Sequence, residues 1–344
     1  MSKVYWSLPF LLFFSSSYAV EPTPFIVNGA TANIANYPSF ASLFYRSNTL
    51  YSRSPYCGAT MINDQFALTA AHCIYGDDDL MLNTVVVPQL EDESNFLSAE
   101  QAQATAFYYP DTYDDSSATL WRDDIAIIKL ETRLSVGDYR SLLNTSANDT
   151  FSDSDEFKAV GHGYIEGNVA GGTLLLDAAL TYTSTESCQQ SYGSNLTSKQ
   201  LCFEGELQGS YRNSTCSGDS GGPVYWYSGG QYIQVGVTSF GPATCGDINF
   251  PITSVFTDVY DYQNWIARVI NGLEQPKAYV VETDGIRSLV TNSATYTAPE
   301  TVTSSGGSGG GLSINHSLVL FLLLLVRLIQ LPSALTPRSY VSYK

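Results

Sequence analysis

Three short stretches hold residues whose types and spacing could do nucleophilic chemistry. The first, Cys216-Ser217-Gly218-Asp219-Ser220-Gly221-Gly222-Pro223, sets a serine among three glycines. Such a run makes a poor strand and a worse helix, yet glycine lets backbone N–H groups come close to a small reacting group. The same composition also suits a plain surface turn. Upstream, Leu68-Thr69-Ala70-Ala71-His72-Cys73 ends a small-residue run on a histidine, and Asp123-Asp124 stands just before the apolar stretch Ile125–Leu130. A serine hydroxyl is a weak nucleophile at neutral pH and needs a base to take its proton as it attacks a carbonyl. Imidazole titrates near neutrality, which suits His72 to that part. A carboxylate behind the ring, from Asp123 or Asp124, would fix its tautomer and stabilise the imidazolium.

In chain order these residues are His, Asp, Ser, one of the orders in which the Ser-His-Asp triad occurs. From Ile26 to about Gly272 the chain resembles the trypsin/chymotrypsin-type serine proteases, through Ile26-Val27-Asn28-Gly29, the His72 and Asp124 stretches and the Ser220 run. The resemblance implies an all-β fold of two antiparallel six-stranded β-barrels, with the site in the cleft between them and a C-terminal helix docked on the second barrel. It selects Asp124 as the triad acid, because the family's acid directly precedes the apolar strand. It implies an oxyanion hole from the N–H groups of Gly218 and Ser220, disulfides Cys57–Cys73, Cys188–Cys202 and Cys216–Cys245, and no cofactor or metal. In the family, cutting before the residue matching Ile26 frees an amine that pairs with the acid ahead of the serine, here Asp219. Relatives usually have Arg or Lys before that cut; this chain has Phe25, so the activating protease would accept an aromatic residue and could be the enzyme itself.

Specificity follows from the pocket floor, which the resemblance puts at Ser214, with walls at Ser239, Phe240, Gly241 and, less directly, Ser254. A neutral floor leaves a buried substrate cation unpaired, which is costly. The expected preference is therefore Phe, Tyr, Leu or Met before the scissile bond. Asp247, in a nearby loop, is the acid that could instead give trypsin-like specificity. A catalytically inactive homologue that binds partners through the same fold is the alternative from another class, and an esterase is a third. His162, between Gly161 and Gly163, stands where the family usually has an aromatic residue and reads as a packed structural histidine.

The surrounding elements come from composition and pattern. The chain has 344 residues and a net charge of −17, which argues against nucleic acid or an anionic membrane surface as partners and leaves protein or peptide substrates. Six cysteines are an even number with no Cys-x-x-Cys pair, which favours disulfides and an oxidising compartment over a metal site. Apolar runs at Ser39–Tyr45, Ala59–Ala67, Thr84–Val87, Ile125–Leu130, Lys158–Gly161, Leu174–Tyr182, Val224–Tyr227, Gln231–Ser239 and Ser254–Thr257 read as short strands,. Ser228-Gly229-Gly230 signals a hairpin. Asp258–Ile270 reads as a helix with Val259, Tyr262, Ile266 and Val269 on one face and Gly272 at its end. The acidic runs Asp77-Asp78-Asp79 and Glu91-Asp92-Glu93 read as solvated loop acids, with calcium as the rival. Of the Asn-x-Ser/Thr triplets at Asn144, Asn148, Asn195, Asn213 and Asn315, Asn213 adjoins the pocket floor, where a glycan has little room,.

The ends read as address labels. Residues 1–19 form a secretory signal peptide and 20–25 a propeptide. The protease domain runs over 26–272, a Ser/Thr/Gly-rich linker over 273–311, and an apolar then basic tail over 312–344. That tail resembles GlyGly-CTERM sorting signals; a glycolipid-anchor signal and a membrane anchor are the other readings. The protein is expected to be secreted or attached to the cell surface, with transient membrane attachment through the tail.

Overall fold

The computed structural model describes residues 26–136, 151–165, 169–292 and 340–342. Six strands, β1 (Phe40–Tyr45), β2 (Cys57–Met61), β3 (Phe66–Thr69), β4 (Thr84–Pro88), β5 (Ala102–Tyr108) and β6 (Ala126–Leu130), pair antiparallel in the cyclic order β1-β2-β3-β6-β5-β4. A second set, β7 (Phe157–Gly161), β8 (Leu176–Thr183), β9 (Gln200–Gly205), β10 (Pro223–Ser228), β11 (Gln231–Pro242) and β12 (Ile252–Asp258), closes as β7-β8-β9-β12-β11-β10. These are two closed six-stranded antiparallel barrels with the same internal order. Closure leaves no free edge along each barrel, so every strand can be short and still satisfy its backbone.

The strand runs anticipated from the sequence are present, with local differences that have causes. Ala59–Ala67 breaks into two strands because the Asn63 side chain accepts from the N–H groups of Gln65 (2.8 Å) and Phe66 (2.9 Å), closing a turn in mid-run,. The hairpin at Gly229-Gly230 is as expected: both glycines have positive φ, 61° and 85°, between paired Ser228 and Gln231,. Strands β5 and β9 were not anticipated. Alanine and glutamine dominate the start of β5, and its inner face is filled by small residues such as Ala102, Ala104 and Ala106.

The C-terminal helix corrects two expectations. Asp258 still pairs with Gly236 in the sheet, so the helix proper, α1 (Gln263–Ile270), begins later, after a 3-10 turn at Tyr260–Tyr262. Val259, Tyr262, Ile266 and Val269 do share one buried face, but it packs into the core of the first barrel, with Ile125, Ala126 and Phe107, rather than onto the second. The helix thereby straps one barrel to the end of the other. The segment read as a linker also holds structure: β13 (Ala278–Thr283) and β14 (Ile286–Thr291) form a hairpin, and Ala278 and Tyr279 pair with Phe107 and Ala106 of β5. The acids at 77–79 are not simply solvated: Asp77 accepts from Leu80 N–H at 2.9 Å and caps a short helical turn,.

The three expected disulfides are present, Cys57–Cys73, Cys188–Cys202 and Cys216–Cys245. Among the described residues no helix is long and apolar enough to cross a membrane. The signal peptide, the propeptide and the glycine-rich and apolar stretches of the tail lie outside the described residues, as do Asn144, Asn148 and Asn315.

Candidate active site

Strand register puts the histidine and the aspartate at one end of the first barrel. β3 and β6 run antiparallel with Thr69 opposite Ala126, so the chain leaving β3 and the chain entering β6 meet there. His72 lies on a 3-10 turn just past β3, and Asp124 lies just ahead of β6. His72 Nδ1 and Asp124 Oδ2 are 2.7 Å apart, and the His72 backbone N–H donates to Asp124 Oδ1 at 3.0 Å. Both carboxylate oxygens are therefore occupied by the same residue, which fixes ring and carboxylate together. The Cys57–Cys73 bridge ties the residue after His72 to β2.

A strand irregularity supplies a third partner. In β11 the register slips between Thr238, opposite Phe256, and Phe240, opposite Val255, leaving Ser239 as the extra residue. A bulge of this kind re-aims a side chain. Ser239 Oγ donates to Asp124 Oδ2 at 2.5 Å, and Thr257 Oγ1 donates to the Asp124 carbonyl at 2.7 Å. Asp124 is wholly buried, and these donors offset the cost of keeping its charge from water,. Asp123, the competing acid, faces elsewhere: its Oδ1 accepts from Tyr262 Oη at 2.5 Å and Lys199 Nζ at 3.2 Å.

The Ser220 loop is locked against the first barrel by close backbone approach. Gly58 N–H of β2 donates to the Ser220 carbonyl at 2.7 Å. A Cβ on Gly221 (φ +74°) would come within 2.1 Å of Thr69 Oγ1, and one on Gly58 within 2.7 Å of Gly222 Cα. Glycine is required at both positions, because any side chain would wedge the two barrels apart. Around the serine, Asp219, Gly221 and Gly222 donate their N–H groups to Cys216, Thr238 and Asp219 carbonyls, each at 2.9 Å. Gly218 adopts φ +100°, and a Cβ placed on it would come within 3.0 Å of the Gly163 α-carbon. Ser220 itself is fully buried within this arrangement.

Behind the loop sits Asp219. Its carboxylate accepts from Gly163 N–H at 2.7 Å and Cys216 N–H at 2.8 Å. Burial nevertheless pushes its pKa up to about 7, against those two donors,. Ile26 is fully buried beside it, its N–H pointing at the Gly163 carbonyl at 3.4 Å, and Val27 bridges to Ser214. Ile26 has φ +59°, a strained backbone for a β-branched residue,.

The residues expected to line the pocket are all buried, and each of their hydroxyls has a partner: Ser214 the Thr215 and Thr253 carbonyls, Ser239 the Asp124 carboxylate, and Ser254 the Thr215 hydroxyl. Ser214 Oγ donates to the Thr215 carbonyl at 2.6 Å, and Thr215 Oγ1 and Ser254 Oγ lie 3.0 Å apart, with Thr215 N–H on the same oxygen at 3.1 Å. Thr215 was not singled out from sequence; nothing but its place next to Ser214 could have pointed to it. Asp247 does not reach in, because its carboxylate accepts from Asn249 N–H and Nδ2 at 2.9 Å within its own loop. Phe240 packs on Trp121, centroids 5.4 Å apart, and on Tyr192. Trp121 was also missed; it precedes Asp124 by three positions in a stretch otherwise read for its acids.

His162 is buried. Its Nε2–H donates to the Leu90 carbonyl at 3.0 Å, and Nδ1 faces Glu93 Oε1 at 3.6 Å. It takes no part in the His72 cluster. Glu91, Asp92 and Glu93 diverge to separate partners, Ile34 N–H, Ser94 N–H and His162. Among the described residues the one grouping of metal-type ligands is Cys57, His72 and Cys73, whose sulfurs are joined to each other. Asn213 is buried and donates Nδ2 to the Ala179 carbonyl at 3.0 Å, while Asn195 is exposed.

Comparison with known proteins agrees with this layout. The family model described as Trypsin matches residues 26–266. The thrombin-like enzyme calobin-1 of Gloydius ussuriensis is 30% identical over 76% of this chain and 94% of its own length. Spermosin of Halocynthia roretzi is 29% identical over 64% of this chain, which spans 57% of that relative. The CLIP domain-containing serine protease B4 of Anopheles gambiae is 28% identical over 73% of this chain and 72% of its own. With a family model covering most of its length and two closed barrels to match, the chain belongs to the Trypsin family of serine endopeptidases.

Proposed function

We propose that the protein is a secreted endopeptidase that cuts after apolar or aromatic residues, is made as a zymogen activated before Ile26, and works through Ser220, His72 and Asp124. The carrying observation is the buried His72–Asp124 contact of 2.7 Å, backed by Ser239, beside a serine loop interlocked with β2 and β3. In the first step Ser220 Oγ attacks the substrate carbonyl and its proton passes to His72 Nε2. The negative charge that develops on the carbonyl oxygen is received by the N–H groups of Gly218 and Ser220. Collapse expels the amine, which takes the proton from His72, and leaves an acyl-Ser220 ester. Water, deprotonated by His72 in turn, hydrolyses the ester and restores the serine. Asp124 holds the Nδ1–H tautomer throughout and stabilises the imidazolium.

Specificity is read from a pocket whose buried side chains are hydroxyls and an aromatic ring, with Ser214 already bonded to backbone carbonyls, Ser239 to Asp124 and Ser254 to Thr215. An arginine or lysine side chain entering it would meet no carboxylate. Cleavage of a panel of chromogenic peptides is expected to run fastest after Phe, Tyr, Leu or Met, and faster cleavage after Arg than after Phe overturns the assignment. Activation is read from Ile26: cutting its bond to Phe25 would free an ammonium at the nitrogen that now points at the Gly163 carbonyl, and Gly163 N–H donates to the buried Asp219 carboxylate. Secretion is read from residues 1–19 and from three disulfides, which persist in oxidising compartments,. N-terminal sequencing of the mature protein is expected to begin at Ile26.

A further inference from the structure

One strand comes from far outside the family-matched region. Tyr340–Ser342 (β15) pairs antiparallel with the end of β11, Phe240 opposite Ser342, Gly241 opposite Val341 and Pro242 opposite Tyr340. On one side β11 is bound to β12 as far as Phe240, opposite Val255; on the other its pairing with β10 ends at Val237, opposite Pro223, and β15 pairs with the part of β11 that runs on past β10. This edge starts at the residue after Ser239, whose hydroxyl holds Asp124.

We propose that residues 340–342 are a built-in competitor that lies in the substrate cleft and lowers the affinity of the active enzyme for its substrates. A peptide bond presented to Ser220 must come from an extended segment, and an open strand edge binds such a segment through main-chain hydrogen bonds that any sequence can make. A segment of the same chain gains on free substrate by tethering, which gives effective concentrations of order mM. Residues 293–339 could span ~150 Å if extended, so connectivity permits the docking. The residue next in sequence is Tyr343, of the aromatic class proposed above for the pocket; that point rests on the specificity reading, whereas the edge pairing does not. Inhibition of this kind is competitive: it raises KM and leaves kcat alone.

The test compares the mature full chain with two variants, one ending after Asn292 and one carrying Val341→Pro with Ser342→Pro. The double substitution removes the N–H donors at two successive positions, so whichever of them faces β11 is lost while the tail stays attached. The expected result is a KM about 2–10-fold lower in both variants with kcat unchanged, as mM tethering predicts for a weak competitor, together with faster fluorophosphonate labelling of Ser220. Backbone amides of residues 240–242 should exchange hydrogen faster in both variants than in the full chain. Equal KM and equal exchange in all three proteins overturn the proposal, as does a KM difference that disappears on dilution, which would place the tail in a second copy. If no peptide is cleaved at all, the peptidase reading fails, and the exchange comparison still decides the tail.

Discussion

Asp124 is held by more than the histidine it orients. Its Oδ2 takes both His72 Nδ1 and the Ser239 hydroxyl, the latter at 2.5 Å. A hydrogen bond to a charged group contributes about 1.5–3 kcal/mol, so removing Ser239 Oγ should both loosen the carboxylate and raise its basicity. Ser239→Ala is expected to lower kcat about 10-fold with a smaller change in KM, and to move the acid limb of the pH–rate profile upward, since a more basic carboxylate favours the imidazolium. Ser239→Thr, which keeps a hydroxyl, should restore most of the rate. A rate loss with an unmoved acid limb would mean that Ser239 acts on packing alone. Asp124→Asn should be far more severe, because the amide presents a donor where the ring needs an acceptor; a fall of order 10⁴ is the scale for such a tautomer error.

Among the elements, the hairpin β13–β14 is the addition whose cost and benefit are easiest to check. It extends the first barrel's sheet beyond the family-matched residues, with Val280 opposite Leu289 and both packed against the barrel core. Arg287 fastens it further by donating Nη2 to the Ala104 carbonyl at 2.8 Å. Val280→Ala with Leu289→Ala is expected to lower Tm by about 3–6 °C in a single transition, at about 2–4 °C per kcal/mol for a domain of this size; an unchanged Tm would show that the hairpin rides on the barrel without stabilising it. The hairpin went unread although Asp284-Gly285, both at positive φ (54° and 75°) between paired Thr283 and Ile286, is a two-residue turn signal; the Thr- and Ser-rich residues that follow drew the whole stretch into the linker,. The triad stretches were legible for the opposite reason. Glycines forced by close approach, as at Gly221 and Gly58, leave a compositional mark, and an acid ahead of an apolar strand is read directly. What escaped depends on register: the bulge that aims Ser239 at Asp124, the Trp121–Phe240 contact and the side to which α1 docks are set by which strand meets which, and no local pattern encodes that. The helix face itself was correctly read, since its spacing is local; its partner barrel was not.

At the scale of the whole molecule, the proposed cut before Ile26 would act on the two barrels through Asp219. In the uncut chain its buried carboxylate has two N–H donors, and burial still raises its pKa from 3.8 to about 7. A raised acid pKa means that the native state binds more protons than the unfolded state between those limits. Stability from this group is then present at low pH and is lost as pH climbs toward and past 7. On the proposed activation, a cut before Ile26 would change the sign, because a new ammonium paired with Asp219 would favour the charged carboxylate and so stabilise the fold at neutral pH. Glu93, raised to about 7 by burial, and His162, lowered to about 4 by burial, also titrate at the junction of the barrels, but they do so in both forms. Their contributions cancel when cut and uncut protein are compared. With Ser220→Ala to prevent self-cleavage, Tm of the uncut chain should fall more between pH 5 and pH 7.5 than Tm of the same chain cut before Ile26 by an added protease. The gap between the two should widen by several degrees over that range and close only at a pH above the ~8 of a free α-amine, because the carboxylate that pairs with the ammonium also holds its proton on. Asp219→Asn should flatten the gap by removing the titrating group from both forms. A gap that stays constant from pH 5 to pH 7.5 would separate Asp219 from the new amine and leave the cut without its electrostatic consequence.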